Sequence, residues 1–119
     1  MGGLDSGPNP YDYLAAALAA CTSMTLRVYA EQKQLALGRL TVGVRHGKVR
    51  AEHCHDCGEA VEGRTGQIDR FERTISVEGD IDAVTAGKLI EIAEKCPVHR
   101  TLKAQSVVAT SVSDVQSPS

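Results

Sequence analysis

The sequence has 119 residues, which is the size of one ordinary domain. Hydrophobic residues make up 42% of it and charged residues 24%, fractions close to globular averages that exclude wholesale disorder. The formal net charge is −2, and aromatic residues make up only 3%. We therefore expect no nucleic-acid partner, because the chain has neither a basic excess nor an aromatic platform on which bases could stack.

No apolar run is long enough to cross a membrane. The longest covers eight residues, Leu14–Cys21, whereas a membrane span needs about twenty. The first residues are rich in Gly, Asp, Ser and Pro, unlike a signal peptide. We therefore expect a cytoplasmic protein without a membrane partner, in which thiols stay reduced. Its four cysteines are then reactive, metal-binding or buried rather than a disulfide framework.

A long first helix is predicted from Pro10 to about Gln34, with Gly38 breaking it. Asn9 is a favoured helix cap, Pro10 fits the first helical position, and Asp12 suits the positive end of the helix dipole. The first half of this helix is Ala-rich and apolar all round, which indicates burial on several sides. A core with so few aromatic residues is thin, and an oligomer would help to stabilise it.

Two strands are predicted after this helix, with a long loop between them. Residues 38–48 alternate apolar and polar side chains, which is the pattern of a half-buried strand. Phe71, Ile75 and Val77 mark a second strand. Residues 51–69 between them are polar, and loops of this length inside compact domains are often functional.

A second helix and a third strand complete the predicted fold. The helix begins after its cap Asp82 and ends before Pro97, because proline disfavours helical backbone in the residue before it. Residues 103–112 are predicted to form the third strand. The order helix, strand, strand, helix, strand gives an α+β fold, with one domain over residues 1–112 and a disordered polar tail over residues 113–119.

Two of the cysteines lie on predicted helices, and each has an ordinary explanation when taken alone. Cys21 lies inside the first helix, where no Lys or Arg stands three or four positions away to favour a thiolate. Most free cysteines are small buried hydrophobes. Cys96 ends the apolar stripe of the second helix, where the negative end of the dipole disfavours a thiolate.

The other two cysteines belong to a segment of the loop that is rich in metal-ligating atoms. The thiols of Cys54 and Cys57 have the spacing of half a tetrahedral zinc site. His53 would complete that site, with His46 and His55 as alternatives. The same spacing suits a redox disulfide, and a solvated loop with neither function is the remaining alternative.

Three segments together resemble the OsmC/Ohr superfamily, which contains osmotically induced protein C and the organic hydroperoxide resistance proteins. They are residues 9–23, NPYDYLAAALAACTS; residues 69–80, which begin with DRFER and end with EGD; and residues 92–102, IAEKCPVHRTL. They keep the family's order and spacing and cover nearly the whole chain. The resemblance implies an OsmC-like fold and an intertwined homodimer. In that fold, long Ala-rich helices lie centrally, and a second helix packs with an antiparallel sheet.

The resemblance also implies a chemistry, the thiol-dependent reduction of small organic hydroperoxides without a bound cofactor. By that analogy, Cys21 is the peroxidatic nucleophile and becomes a sulfenic acid. Cys96 is the resolving thiol, and a cellular dithiol reduces the resulting disulfide. The alternative is a metal-binding or redox-sensing dimer with little peroxidase turnover, in which Cys54, Cys57 and His53 hold zinc.

The sequence departs from the peroxidase branch where that branch activates its nucleophile. There, a Glu soon after the helix-opening Pro orients an activating Arg, whereas Tyr11 and Asp12 occupy that stretch here. The family draws the Arg from N-terminal strands, which we expect to be missing from a sequence that begins at the Gly-Gly loop. The candidates for a substitute, which the sequence does not rank, are Arg27, Arg70, Arg73 and Arg100.

Overall fold

The computed structural model describes residues 9–55, 57, 65–104 and 106–113. The described fold consists of helices and a two-stranded antiparallel sheet, which confirms the predicted α+β class. Its elements are α1 (Pro10–Gln32), β1 (Leu40–Arg50), a 3₁₀ turn (Ala51–His53), β2 (Gln67–Val77), α2 (Ala83–Ala93) and α3 (Pro97–Lys103).

The predicted first helix is confirmed and begins at the predicted residue. The Asn9 side chain accepts a hydrogen bond from the Asp12 backbone N–H, and the Asp12 carboxylate accepts one from the Asn9 N–H, each at 3.0 Å. This reciprocal cap satisfies two backbone N–H groups at the start of the helix. The helix ends at Gln32, slightly earlier than expected, and Gln34 turns the chain with a φ of 55°.

The two predicted strands are confirmed and pair as one antiparallel hairpin. The register runs without a break from Leu40 opposite Val77 to Arg50 opposite Gln67. Because β2 begins at Gln67, the loop that we predicted to reach residue 69 is shorter. Successive side chains of each strand point to opposite faces of the hairpin. The inner face packs towards α1 and α2 and carries Leu40, Val42, Val44, Phe71, Arg73, Ile75 and Val77; the other face is the outer face.

The second helix is confirmed at its start, but its end differs from the prediction. Asp82 caps α2 by accepting a hydrogen bond from the Thr85 backbone N–H at 2.7 Å. The helix stops at Ala93, and Pro97 opens a new helix, α3, instead of leading into a strand. The physical reason is that the fixed φ of proline disrupts a helix interior but suits the first position of a helix.

The predicted third strand over residues 103–112 is wrong. Lys103 belongs to α3, and residues 106–112 form neither helix nor strand. Val107 and Val108 are 93% and 86% exposed, so these apolar side chains lie against no sheet in the described part of the chain. An apolar alternation predicts which face of a strand would be buried, but it does not supply the neighbouring strand.

The buried core is small and lies between α1, α2 and the inner face of the hairpin. Leu26, Leu89 and Ala93 form it, and partly buried residues such as Leu40 and Ile75 pack against them. The radius of gyration is 18.6 Å, whereas a compact domain of this length has a radius of about 13 to 14 Å. The chain by itself therefore buries little apolar surface for its size.

The predicted domain bounds, the predicted tail and the absence of a membrane span are the remaining sequence-based expectations. The single domain over residues 1–112 stays a prediction, and residues 114–119 of the predicted tail lie outside the described residues. Across residues 9–55, 57, 65–104 and 106–113, no helix combines the length and the apolar character that a membrane crossing requires.

Candidate active site

Cys96 lies at the junction of α2 and α3, where it is fully buried and caps α3. Its sulfur accepts a hydrogen bond from the His99 backbone N–H, with 3.3 Å between nitrogen and sulfur. The expectation that Cys96 lies at the negative end of a helix is therefore wrong. Because Pro97 starts a new helix, the sulfur meets an N–H group of the first turn of α3, which favours a negative charge.

Thr22 connects α1 to this cysteine. The residue is fully buried, and its hydroxyl donates a hydrogen bond to the Leu18 carbonyl one turn earlier at 2.7 Å. The same hydroxyl lies 3.7 Å from the Cys96 sulfur. The bond to Leu18 fixes the position of the hydroxyl oxygen, whose lone pairs can then accept from other donors.

The structure brings Cys21 to the same place. Its side chain lies close enough to the Cys96 sulfur to lower the pKa of that thiol, and both residues are free cysteines. Cys96 is buried, whereas Cys21 is partly exposed. The two cysteines that the family resemblance selected therefore lie close together, although they come from the middle of α1 and the start of α3.

The surroundings of Cys96 favour its thiolate. Burial raises the pKa of this thiol. The hydrogen bond from the His99 N–H, and then the nearby Thr22 hydroxyl and Cys21 thiol, lower that pKa. The positive charge of Arg73 lowers it further, and the net result is a pKa below the ordinary value for cysteine. The thiolate is the nucleophilic form of the residue, so this site is prepared for sulfur chemistry.

Arg73 is the cation beside the two cysteines. From the inner face of β2, its Nη1 donates to the Thr22 hydroxyl at 3.1 Å and to the Ala93 carbonyl at 3.3 Å. Its Nη2 lies 3.0 Å from Nδ1 of His99. Since a guanidinium only donates, Nδ1 accepts this bond and the ring proton lies on Nε2. Burial, Arg73 and Lys103 lower the pKa of His99, in agreement with a neutral ring.

The sequence does not single out Arg73 among the four candidate arginines, although a signal for it exists. Arg73 has the same alternation phase as Phe71, Ile75 and Val77 of β2, so it is a charged residue at an inward position of a half-buried strand. The other candidates lie elsewhere: Arg27 donates to the backbone carbonyl of Gly38, Arg70 is on the outer face, and Arg100 is exposed on α3.

The residues that stand where the peroxidase branch has its Glu have other partners. Asp12 closes the reciprocal cap with Asn9. The Tyr11 ring stacks on the His46 ring, with 4.1 Å between the centroids. Arg73 is instead held by groups from the three helices, as described above.

A cavity of about 470 Å³ opens beside Arg73 and His99. Its wall combines apolar residues from α1, β2 and α3 with the polar side chains of Gln67, Asp69, Arg73, His99 and Lys103. Apolar surface combined with polar groups is usual for sites that bind small molecules. The apolar residues of the wall are Leu18, Ile68, Phe71 and Leu102.

The remaining cysteines, Cys54 and Cys57, are joined in a disulfide, and their Cα atoms lie 5.6 Å apart. Two sulfurs bonded to each other are not the thiolates that zinc requires. The zinc site of Cys54, Cys57 and His53 therefore stays a prediction for the reduced loop. His46 does not approach these sulfurs, since it lies 2.8 Å from Asp69 on the inner face. Among the residues that the structure describes, no group of three or more His, Cys, Asp or Glu side chains gathers as a metal site.

Comparison with known proteins agrees with this architecture. The sequence model of OsmC-like proteins matches residues 3–111. An organic hydroperoxide resistance protein, OsmC, from Legionella pneumophila has 20% sequence identity and a TM-score of 0.62, and the match covers 85% of this chain and 66% of that one. An OsmC-like protein from Mycoplasma pneumoniae has 22% identity and a TM-score of 0.53, with 82% and 63% covered. No curated protein sequence matches the chain.

These matches establish the fold and the family. The chain spans slightly less than two thirds of the length of the two solved structures, 66% and 63%. At 20% and 22% identity, the two structures show a shared fold rather than a shared activity. The family match covers most of the sequence, including α1, the hairpin, α2 and α3, and the chain therefore belongs to the OsmC family of OsmC-like proteins.

Proposed function

We propose that the protein is a thiol-dependent peroxidase that reduces small organic hydroperoxides. The proximity of Cys21 to Cys96, beside the guanidinium of Arg73, carries this proposal. Cys21 is partly exposed in the single chain, and the surroundings of Cys96 favour its thiolate. Such a pair allows one cysteine to attack a peroxide and the other to resolve the product. The name of the Legionella relative, an organic hydroperoxide resistance protein, supports the choice of substrate.

Cys21 is the peroxidatic residue in this mechanism. As the hydroperoxide arrives, the Cys96 thiolate takes the proton of the Cys21 thiol, so the negative charge moves to the accessible sulfur. The Cys21 thiolate then attacks the distal oxygen of ROOH, the O–O bond breaks, and Cys21 becomes a sulfenic acid. The departing alkoxide takes the proton back from Cys96 and leaves as the alcohol, which restores the Cys96 thiolate.

Cys96 is the resolving residue. Its thiolate attacks the sulfur of the Cys21 sulfenic acid and expels hydroxide, which solvent protonates to water. The product is a Cys21–Cys96 disulfide. A cellular dithiol reduces it by two successive exchange steps and is itself oxidised to a disulfide. Over one cycle, the hydroperoxide and the dithiol are converted to an alcohol, water and a disulfide.

Arg73 and the cavity beside it support this chemistry. The guanidinium provides a fixed positive charge next to sulfurs and oxygens that carry negative charge during the reaction, and such a charge is worth more in a site from which water is largely excluded. The apolar residues Leu18 and Phe71 of the cavity wall suit the organic group of a hydroperoxide better than they suit hydrogen peroxide. The same wall leaves room for small substrates of more than one shape.

We also propose that the protein works as a homodimer in the cytoplasm. Large apolar side chains of α1 are exposed in the single chain, with Tyr13 at 64%, Met24 at 69% and Val28 at 53%. Together with the thin core, this exposure supports a second copy of the chain against α1. Obligate homodimer interfaces often bury more than about 2,000 Å². Elution or sedimentation as a monomer at micromolar concentration would contradict the dimer.

The peroxidase proposal is tested by steady-state consumption of cumene hydroperoxide in the presence of a dithiol reductant. We expect turnover in the unmodified protein and a loss of about a hundredfold or more in Cys21→Ser, which lacks the nucleophile. Cys96→Ser should form a sulfenic acid once but should not turn over. The control Cys54→Ser/Cys57→Ser should keep its activity. Stoichiometric oxidation without turnover in the unmodified protein would favour the redox-sensing alternative.

A further inference from the structure

A second pair of cysteines lies against the hairpin, away from the candidate active site. Cys54 and Cys57 are joined in a disulfide, and both residues are partly exposed. From β2, the Nη1 atom of Arg70 lies 3.7 Å from the Cys54 sulfur and 4.0 Å from the Cys57 sulfur. The structure thus holds a cation against both sulfurs of a disulfide that solvent can reach.

The hairpin separates this disulfide from the other two cysteines. Arg70 and Arg73 are three positions apart in a strand whose register has no break, so their side chains point to opposite faces. Arg73 meets Thr22 on the inner face, and Arg70 meets the disulfide on the outer face. The two cysteine pairs of one chain are therefore not in a position to exchange electrons directly.

The disulfide contributes little as a structural cross-link. Its cysteines are 3 positions apart, and a cross-link restrains the unfolded chain less when the loop that it closes is short. The charge of Arg70 acts on the reduced pair instead, because a guanidinium attracts a thiolate far more than a neutral disulfide. A cation that stabilises the reduced form makes a disulfide easier to reduce.

We propose that Cys54 and Cys57 form a second redox centre, which exchanges electrons with a dithiol in solution. A thiolate of the dithiol attacks one sulfur of the pair, the Cys54–Cys57 bond breaks, and the other sulfur leaves as a thiolate held by Arg70. The second thiol of the dithiol then attacks the mixed disulfide and displaces the cysteine that was attacked first. Two electrons and one proton have passed to the pair, whose other sulfur stays a thiolate beside Arg70, and the dithiol has become a disulfide. The proposal is independent of the peroxidase chemistry of Cys21 and Cys96.

The test uses the full chain with Cys21→Ser and Cys96→Ser, in which this pair is the only source of thiols. Serine at position 96 keeps a capping oxygen for α3. The protein is equilibrated with mixtures of reduced and oxidised dithiothreitol at about pH 9, slightly above the ordinary pKa of a thiol. Trapping of the thiols and mass spectrometry then give the reduced fraction. Arg70→Gln removes the cation in this background, and the exposed Arg27→Gln is the matched control.

We expect the pair to be reduced reversibly while circular dichroism shows a folded protein. Arg70→Gln should shift the equilibrium towards the disulfide by about fivefold or more, because each unit of thiol pKa changes the ionised fraction up to tenfold. Arg27→Gln should leave this equilibrium unchanged. Arg70→Lys keeps a positive charge, so its equilibrium should lie between those of Arg70→Gln and Arg27→Gln.

Two results would overturn the proposal. One is a disulfide that resists the dithiol until the protein unfolds, which is the behaviour of a structural cross-link. The other is an equilibrium that Arg70→Gln shifts no more than Arg27→Gln does. Should Arg70→Gln fail to fold, the comparison of Arg70→Lys with the unmodified arginine decides, and an unchanged equilibrium there would count against the role of Arg70.

Discussion

The guanidinium of Arg73 donates a hydrogen bond to the hydroxyl of Thr22, 3.1 Å away and 51 positions earlier in the chain. The same guanidinium reaches the Ala93 carbonyl and the His99 ring, so one side chain of β2 joins α1, α2 and α3. A partly buried charge is costly unless it is hydrogen-bonded, and these acceptors satisfy it where the two thiols meet. The stability of this junction and the reactivity of the thiols should therefore change together.

Replacement of the cation tests its effect on the thiols. In Arg73→Gln, we expect the pKa of Cys96 to rise and the oxidation of Cys21 by hydroperoxide to slow about tenfold, because the positive charge beside the thiolate is lost. The pKa is measured from the ultraviolet absorbance of the thiolate against pH in a Cys54→Ser/Cys57→Ser background.

The matched control for that experiment is Arg45→Gln. Arg45 lies on the outer face of the same hairpin, where it pairs with Glu72 and is 85% exposed. Arg45→Gln should leave both the titration curve of the thiols and the oxidation rate of Cys21 unchanged. Identical titration curves for Arg73→Gln and Arg45→Gln would show that the cation has no influence on the thiol pair.

Thr22 should matter through its hydroxyl rather than through its volume. Thr22→Val keeps the shape of the side chain but leaves the Arg73 Nη1 with one acceptor fewer in a buried place, so we expect a loss of about 1–3 kcal/mol in the free energy of unfolding. Thr22→Ser keeps the hydroxyl and should lose less. Urea unfolding at fixed protein concentration measures both; a serine variant as unstable as the valine variant would contradict the special role of the hydroxyl.

The elements that follow from local chemistry could be predicted from the sequence. The caps Asn9 and Asp82 mark the starts of α1 and α2, because their side chains bond N–H groups only three residues away. Local chemistry does not decide whether residues 103–112 form a third strand, because a strand needs a partner strand that is remote in sequence. The new helix after Pro97 was missed because proline is compatible with a helix start as well as a helix end.

The candidate site could be predicted only in part. Cys21 and Cys96 came from the family resemblance, because neither position alone distinguishes a reactive thiol from a buried one. Arg73 could not be ranked, since its role depends on three acceptors from three helices that only the tertiary structure brings together. The sequence did contain one indication of its role: Arg73 lies at an inward-facing position of β2, and a charge at such a position must have hydrogen-bond partners.

A close approach at Gly38 predicts a steric effect. A Cβ added there would lie 2.6 Å from the Glu78 carbonyl oxygen, and that backbone is held by the Glu78 N–H bond to the Arg39 carbonyl. We expect Gly38→Ala to lower the free energy of unfolding by about 1–3 kcal/mol. Gly43→Ala in β1 is the control, since no atom lies within 4 Å of its added Cβ. Equal stability of the two variants would contradict the crowding at Gly38.

Asp82 predicts a pH dependence of stability. Hydrogen bonds from the backbone N–H and the side chain of Thr85 lower the pKa of this carboxyl. The folded pKa is therefore below the unfolded value, so the cap stabilises fully above about pH 4 and its contribution is lost as the pH falls through the folded pKa. We expect Asp82→Ala to lower the melting temperature at neutral pH, with a difference that shrinks in acid.

The control for this titration is Asp82→Asn. Asparagine caps a helix as well as aspartate does but does not ionise. Its stability relative to Asp82→Ala should therefore stay constant as the pH is lowered. A gap between the unmodified protein and Asp82→Ala that persists in strong acid would contradict a role for the ionised carboxylate.

The pairing of Cys21 with Cys96 is the central claim, and peptide mapping after oxidation tests it most directly. The fully reduced protein is treated with one equivalent of an organic hydroperoxide, free thiols are trapped, and the disulfide-linked peptides are identified by mass spectrometry. We predict that a Cys21–Cys96 disulfide forms first, because Cys21 lies close enough to Cys96 to lower the pKa of its thiol. Oxidation that yields only a Cys54–Cys57 bond, with Cys21 and Cys96 both recovered as free thiols, would contradict the account.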